Sequence, residues 1–92
     1  MWHVYIIQCK DGSLYTGATT DISRRVIEHN NKKGGSYTRS RLPVALLYKE
    51  NCFTRSQALK REIQVKSLSR AKKLALIEND KKVFGKLNKF IG

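Results

Sequence analysis

The sequence predicts an α+β fold: one small three-stranded antiparallel sheet flanked by helices, in the order β-β-α-β-α plus C-terminal helices. Three observations predict it. Trp2 to Cys9 is rich in β-branched and aromatic residues, and Asp11-Gly12, a hairpin signal, separates it from a second strand at Leu14 to Ala18. Two helix-start signals follow, Thr20 or Asp21 ahead of Ile22, and Thr54 with Gln57 as a capping box. Between them Pro43 opens a third strand, Val44 to Tyr48.

Each element has its own reason. A symmetric two-residue turn at Asp11-Gly12 would pair Tyr15 with Gln8 and send Tyr5 and Tyr15 to opposite faces. A three-residue loop, Asp11-Gly12-Ser13, pairs Cys9 with Tyr15 and puts both tyrosines on one face; this odd-numbered loop, or an equivalent bulge, is expected. The first helix should run to about Asn30 with Ile22, Val26 and Ile27 inward. Lys32-Lys33-Gly34-Gly35-Ser36 reads as a basic, flexible loop. In the second helix Ala58, Leu59 and Ile63 should face inward. Ser69 caps a third, with Leu74 and Ile77 inward, and Val83, Leu87, Phe90 and Ile91 predict a final amphipathic helix in the Lys-rich tail.

Charge narrows the partners. Across 92 residues, 19 Lys+Arg against 7 Asp+Glu give a net charge of +12. Such an excess repels itself in the compact state unless a polyanion relieves it. Nucleic acid is the natural partner, because each phosphate contact releases a condensed counterion. An anionic membrane surface or ribosomal RNA would match the charge equally well. The basic residues are spread along the chain, which favours a folded basic surface over a disordered arm. No apolar run approaches the ~20 residues of a membrane span, and Met1 to Lys10 lacks the basic leader of a signal peptide. Cys9 and Cys52 have no paired spacing and read as reduced thiols. The expectation is a soluble, cytoplasmic protein with no membrane partner.

The residues able to do chemistry come in a fixed order. His3-Val4-Tyr5 is followed by Tyr15-Thr16-Gly17, then by Arg25 and His29 one helical turn apart, and later by Glu62 within Ala58-Leu59-Lys60-Arg61-Glu62. This order and spacing resemble the GIY-YIG nuclease domain, over roughly Trp2 to Leu76, and in particular its small stand-alone bacterial members. Each tripeptide alone is a weak signal; the ordered set is specific. The chain departs from the pattern at His3, where the motif has glycine, and at Thr16, where it has isoleucine. It has Ala18 where some members carry lysine, and Asn79 is a poor match in spacing for their late asparagine.

The resemblance implies a catalytic set of Tyr5, Tyr15, Arg25, His29 and Glu62, with Glu62 holding Mg²⁺ or Mn²⁺. One carboxylate suffices, because Mg²⁺ keeps several waters and binds substrate phosphate. On the residues alone, Glu62 reads as a solvated glutamate paired with Lys66 at i,i+4; the resemblance turns the reading to metal. Either phenol could activate water, and they are treated as a pair. Arg25 would hold the scissile phosphate, with Arg24 as the competing arginine. His29 would contact phosphate or move a proton. Tyr37, Arg39 and Arg41, with Arg24 and Lys66, are candidate nucleic-acid contacts by stacking and charge. Residues 1–80 would form the GIY-YIG-like nuclease domain, and 81–92 a helical extension of the same domain. Implied partners are DNA, with RNA as a second candidate, and a targeting protein. A metal-dependent endonuclease acting in repair or recombination leads; a non-catalytic nucleic-acid binder on the same fold is the rival, and a protein-interaction domain a weaker third.

Overall fold

A computed structural model describes the backbone of residues 1–91 and the side chains of residues 1–80. Strands β1 (Trp2–Gln8), β2 (Leu14–Thr19) and β3 (Ala45–Cys52) form one antiparallel sheet in the order β2-β1-β3. Helices α1 (Ile22–Asn30), α2 (Ser36–Arg39), α3 (Arg55–Lys66) and α4 (Arg70–Ile91) complete the chain.

The β1–β2 connection is odd-numbered, as expected, but sits one position earlier. Ile7 pairs with Tyr15 and Tyr5 with Gly17, and the Cys9 N–H donates to the Ser13 carbonyl, leaving Lys10-Asp11-Gly12 as the loop. Asp11 decides the shift. Its carboxylate accepts from the Ser13 N–H at 3.0 Å and the Ser13 hydroxyl at 2.6 Å, while Gly12 takes φ +85°, open to glycine at little cost. Tyr5 and Tyr15 therefore share a face.

Alternate β1 residues pack to opposite sides. Val4 and Ile6 meet Tyr48, Ala58, Val65 and Ile77, the core under α3 and α4. Tyr5 and Ile7 meet Cys9 and Val44, with Tyr15, Ile22, Val26 and Leu42 packed around them beneath α1. Helix α1 is capped by Asp21, whose side chain accepts from the Arg24 N–H at 3.0 Å. Helix α3 is capped by Thr54, and Gln57 reaches back to the Phe53 N–H at 3.0 Å.

Several inward assignments are corrected. Ile27 is 60% exposed, because Ile22, Val26 and His29 define the buried stripe of α1. Leu59 and Ile63 lie outward, at 40% and 69%, because α3 turns Ala58, Glu62 and Val65 to the sheet. Leu74 is 39% exposed, while Ile77 is buried. Strand β3 runs on to Cys52, since pairing along all of β1 outweighs the polar run Lys49-Glu50-Asn51. The expected flexible loop ends in a short helix, α2. The last two expected helices are one, α4; the apolar face assigned to Val83, Leu87, Phe90 and Ile91 lies outside the described side chains.

Candidate active site

Tyr5 is 1% exposed and its hydroxyl lies 3.1 Å from His29 Nε2. His29 is fully buried, and its Nδ1 lies 2.9 Å from the Thr38 hydroxyl, itself 1% exposed. Three buried polar side chains thus satisfy one another in a line from β1 through α1 to α2. A neutral imidazole has one donor and one acceptor, which matches two hydroxyl neighbours in either direction. Burial, helped by the charge of Arg25, holds His29 below its ordinary pKa and so neutral at pH 7. Burial also raises the Tyr5 phenol, against the opposing pull of Arg25, with Tyr15 and Glu62 pushing the same way as burial.

Two glycines make this line possible. A Cβ on Gly17 would come within 2.5 Å of the Tyr5 hydroxyl, so the glycine that ends Tyr15-Thr16-Gly17 is required by the phenol across the strand. A Cβ on Gly34 would overlap the His29 ring at Nδ1. The presumed flexible Gly-Gly loop is therefore the tight cover of the buried histidine.

Tyr15 stands differently. It is half-buried, its ring meets His29 edge-on at 5.5 Å, and Tyr37 stacks on it at 5.8 Å. Arg25 is half-buried beside Tyr5; it donates to the Gly34 carbonyl at 3.3 Å and pairs with Glu28 at 3.6 Å. A guanidinium has five N–H donors, so several remain for a ligand. Arg24 is exposed, whereas Arg25 is the arginine beside Tyr5.

Glu62 faces the sheet from α3, which packs against β1 and the edge strand β2. Its side chain is only 17% exposed, and Lys66 pairs with it at 3.1 Å. Its charge is felt at the Tyr5 phenol. Tyr5, Tyr15 and Arg25 thus lie together on the α1 side of the sheet, while Glu62 reaches the sheet from α3.

Other expected contacts are held by the protein itself. The Arg41 guanidinium stacks on the Tyr37 ring at 4.2 Å, donates to the Tyr37 carbonyl at 2.7 Å and pairs with Asp11 at 3.2 Å. Tyr15 stacks on the same ring, and Tyr37 remains 41% exposed. Arg39 is exposed and donates twice to the Lys32 carbonyl. Sequence reasoning gave Thr38 no separate role; the signal that could have found it is a hydroxyl nine residues after His29, which only the intervening tight loop brings to the ring.

The GIY-YIG catalytic domain matches residues 1–75 of the chain. The chain belongs to the GIY-YIG family. A UPF0213 protein of Desulfotalea psychrophila is 55% identical over 84 residues, spanning 90% of this chain and 76% of that protein. One from Staphylococcus saprophyticus is 56% identical over 75 residues, 82% and 92% of the two. The solution NMR structure of a UPF0213 protein from Bacillus halodurans aligns with a TM-score of 0.55 at 46% identity, covering 85% of this chain and 84% of that one. A solution NMR structure of an E. faecalis protein gives 0.57 at 39% identity, covering 84% and 82%.

The GIY-YIG departures acquire physical meaning here. Thr16, in place of the motif's isoleucine, is buried against the α3 side, and its hydroxyl has no hydrogen-bond partner among the described residues. His3, in place of the first glycine, bonds Asn51 across the sheet. A GIY-YIG metal would fall to Glu62, and no cluster of three or more His, Cys, Asp or Glu side chains converges among the described residues. A sheltered glutamate carboxylate suits a hydrated divalent ion, which takes its remaining ligands from water and phosphate. Among the described residues no helix is long and apolar enough to cross a membrane.

Proposed function

We propose that the chain is a divalent-metal-dependent endonuclease that hydrolyses phosphodiester bonds in DNA. The observation that carries the reading is the contrast between the two phenols. Tyr5 is buried and tied to His29, whereas Tyr15 is half-exposed with no hydrogen bond to its hydroxyl among the described residues. Tyr15 is then the phenol placed to take a proton from attacking water, and Tyr5 is the positioning residue behind it. Arg25 holds the scissile phosphate with its free N–H groups and offsets charge that builds up during attack. His29, fully buried with both ring nitrogens engaged, acts through Tyr5 rather than on phosphate.

Glu62 would hold the Mg²⁺ or Mn²⁺, which supplies Lewis-acid polarisation and a template for the phosphate. Lys66 must release the carboxylate for that, and its half-exposed ammonium is then free for backbone phosphate. Arg24 and Arg39 are exposed candidates for further phosphate contacts. Residues 1–80 form the nuclease unit and 81–92 a basic extension of it. RNA is the alternative substrate. Action on branched or damaged DNA, in the cytoplasm and directed by a partner protein, rests on family analogy alone.

The ion pair between Glu62 and Lys66 supports a second reading, a nucleic-acid binder without turnover. One experiment separates the two. Wild type and Glu62→Gln are incubated with linear, nicked and branched DNA, with and without Mg²⁺ or Mn²⁺, and scored for cutting and binding. Metal-dependent cutting by wild type alone, with binding kept by both, is expected. Binding by both without cutting under either metal would replace the nuclease with the binder.

A further inference from the structure

The face that carries Tyr5 continues beyond the phenol. β1 and β3 pair without a break from Trp2↔Cys52 to Ile6↔Tyr48, so directly opposed residues project to the same side. His3 and Asn51, and Tyr5 and Lys49, therefore share the site face. Glu50, opposite Val4, projects to the other face, where Arg61 of α3 binds its carboxylate at 2.5 Å.

The Tyr5 ring leans towards β2, into the space that Gly17 leaves free. The β3 side of the same face is open: Lys49 and Asn51 are exposed and His3 is half-buried. Lys49 has no ion-pair partner among the described residues, unlike Arg25, Arg41, Arg61 and Lys66. The His3 ring is fixed in direction, with Nδ1 2.7 Å from Asn51 Oδ1. With the amide oxygen as acceptor, Nδ1 carries the proton and Nε2 is left for a ligand: a phosphate when the ring is protonated, a sugar hydroxyl when it is not.

We propose that His3, Asn51 and Lys49 form a backbone-contact strip for the nucleic-acid strand flanking the bond that is cut. The inference rests on the nuclease reading and gives that site a direction, out from Tyr5 towards the β3 edge. Lys49 neutralises a phosphate; His3, where the family motif has a glycine that could offer no side chain, adds a directed contact; Asn51 holds His3. An apolar or basic partner would not match an unpaired lysine beside an oriented imidazole, whereas a polyanion does.

The test measures affinity for a fluorescein-labelled nicked DNA between 50 and 200 mM NaCl, in the Glu62→Gln background so that cutting does not intervene. Removing one phosphate contact by Lys49→Gln should make the salt-induced loss of affinity about threefold smaller than in the parent. His3→Ala and Asn51→Ala should each weaken binding, and the double variant should lose no more than the worse single one. In the Glu62 protein, Lys49→Gln should raise KM and leave kcat unchanged. Superimposable salt curves for Lys49→Gln and the parent would overturn the proposal. So would an equal drop in Lys72→Gln on α4, because total charge would then govern binding. The two readings fail separately: binding without cutting by the Glu62 protein removes the nuclease, while cutting with unchanged salt curves removes only the strip.

Discussion

The two faces of the sheet follow different rules. Towards α3 and α4, Val4, Ile6, Ala58, Val65 and Ile77 make an apolar core, and any of them works by filling space. Towards α1, the largest buried side chains include Tyr5, His29 and Thr38, each satisfied by the next. Only partner geometry makes such a line affordable, because a buried polar group left alone costs about 1–3 kcal/mol. The comparison teaches where function sits in so small a chain. Both faces carry an apolar core, but the α1 face adds a line of buried polar groups, and Glu62 approaches from the α3 side.

The sharpest way to break that contrast is Tyr15→Phe. It should lower cleavage by about 10²–10⁴-fold, the usual worth of a positioned proton acceptor, while DNA binding persists. A smaller effect would mean that Tyr15 is not the phenol that meets water. On the other face, Ile6→Ala should cost about 2–5 kcal/mol in urea unfolding and leave turnover per folded molecule nearly unchanged. A large loss of turnover there would mean that the faces are not separable.

Thr38→Val tests the line itself. It removes the partner of His29 Nδ1 at nearly constant shape, so stability should fall by about 1–3 kcal/mol and kcat should fall with it, both regained in Thr38→Ser. An unchanged kcat would make the line purely structural. Thr16→Val, on the apolar face, should move the opposite way. It deletes a buried hydroxyl without a partner among the described residues, so urea unfolding should show a gain of about 1 kcal/mol with turnover intact. No gain would point to a water satisfying that hydroxyl.

The smallest effect is the pH dependence of stability. His29 sits below its ordinary pKa in the folded protein, so between the folded and unfolded values the unfolded chain binds the extra proton. Stability from this group is present above about pH 6.5, the unfolded value, and is lost as pH falls through the folded one. Denaturation curves from pH 8 to 5 should show that decline in the wild type and a flatter profile in His29→Gln. Parallel profiles would mean that His29 titrates alike in both states.

Much of this was legible in the order of residues. The α+β class and the two caps follow from strand-forming runs, Asp21 and Thr54, interactions between near neighbours, whereas the odd-numbered hairpin was expected because Tyr5 and Tyr15 had to share a face. Tyr5, Tyr15, Arg25, His29 and Glu62 could be named through the resemblance to the GIY-YIG domain. Their roles could not, because exposure and partners depend on contacts across the chain. Leu59 and Ile63 show the limit from the other side: a helix-spaced apolar pair looks inward, yet α3 rotates to bury Ala58, Glu62 and Val65 instead. Periodicity counts apolar residues on a face, whereas packing chooses the face that fits the sheet.

By itself, then, the sequence determined the three strands, the two capped helices α1 and α3, and the positive charge, and its ordered motif pointed to the family. The elements and the charge rest on local propensity, hydrophobic period and composition, each readable within a few residues or as a sum over the chain, and the family rests on a motif resemblance. Only the tertiary structure decided that His29 is withdrawn behind Tyr5, that Thr38 completes its hydrogen bonding, and that Gly34 closes over it. It also decided that Arg41 is held by Asp11, and that His3, Lys49 and Asn51 share the open side of the site face. Those are relations between residues distant in the chain, fixed by strand register and helix rotation, and a single shift in either would reassign every one of them.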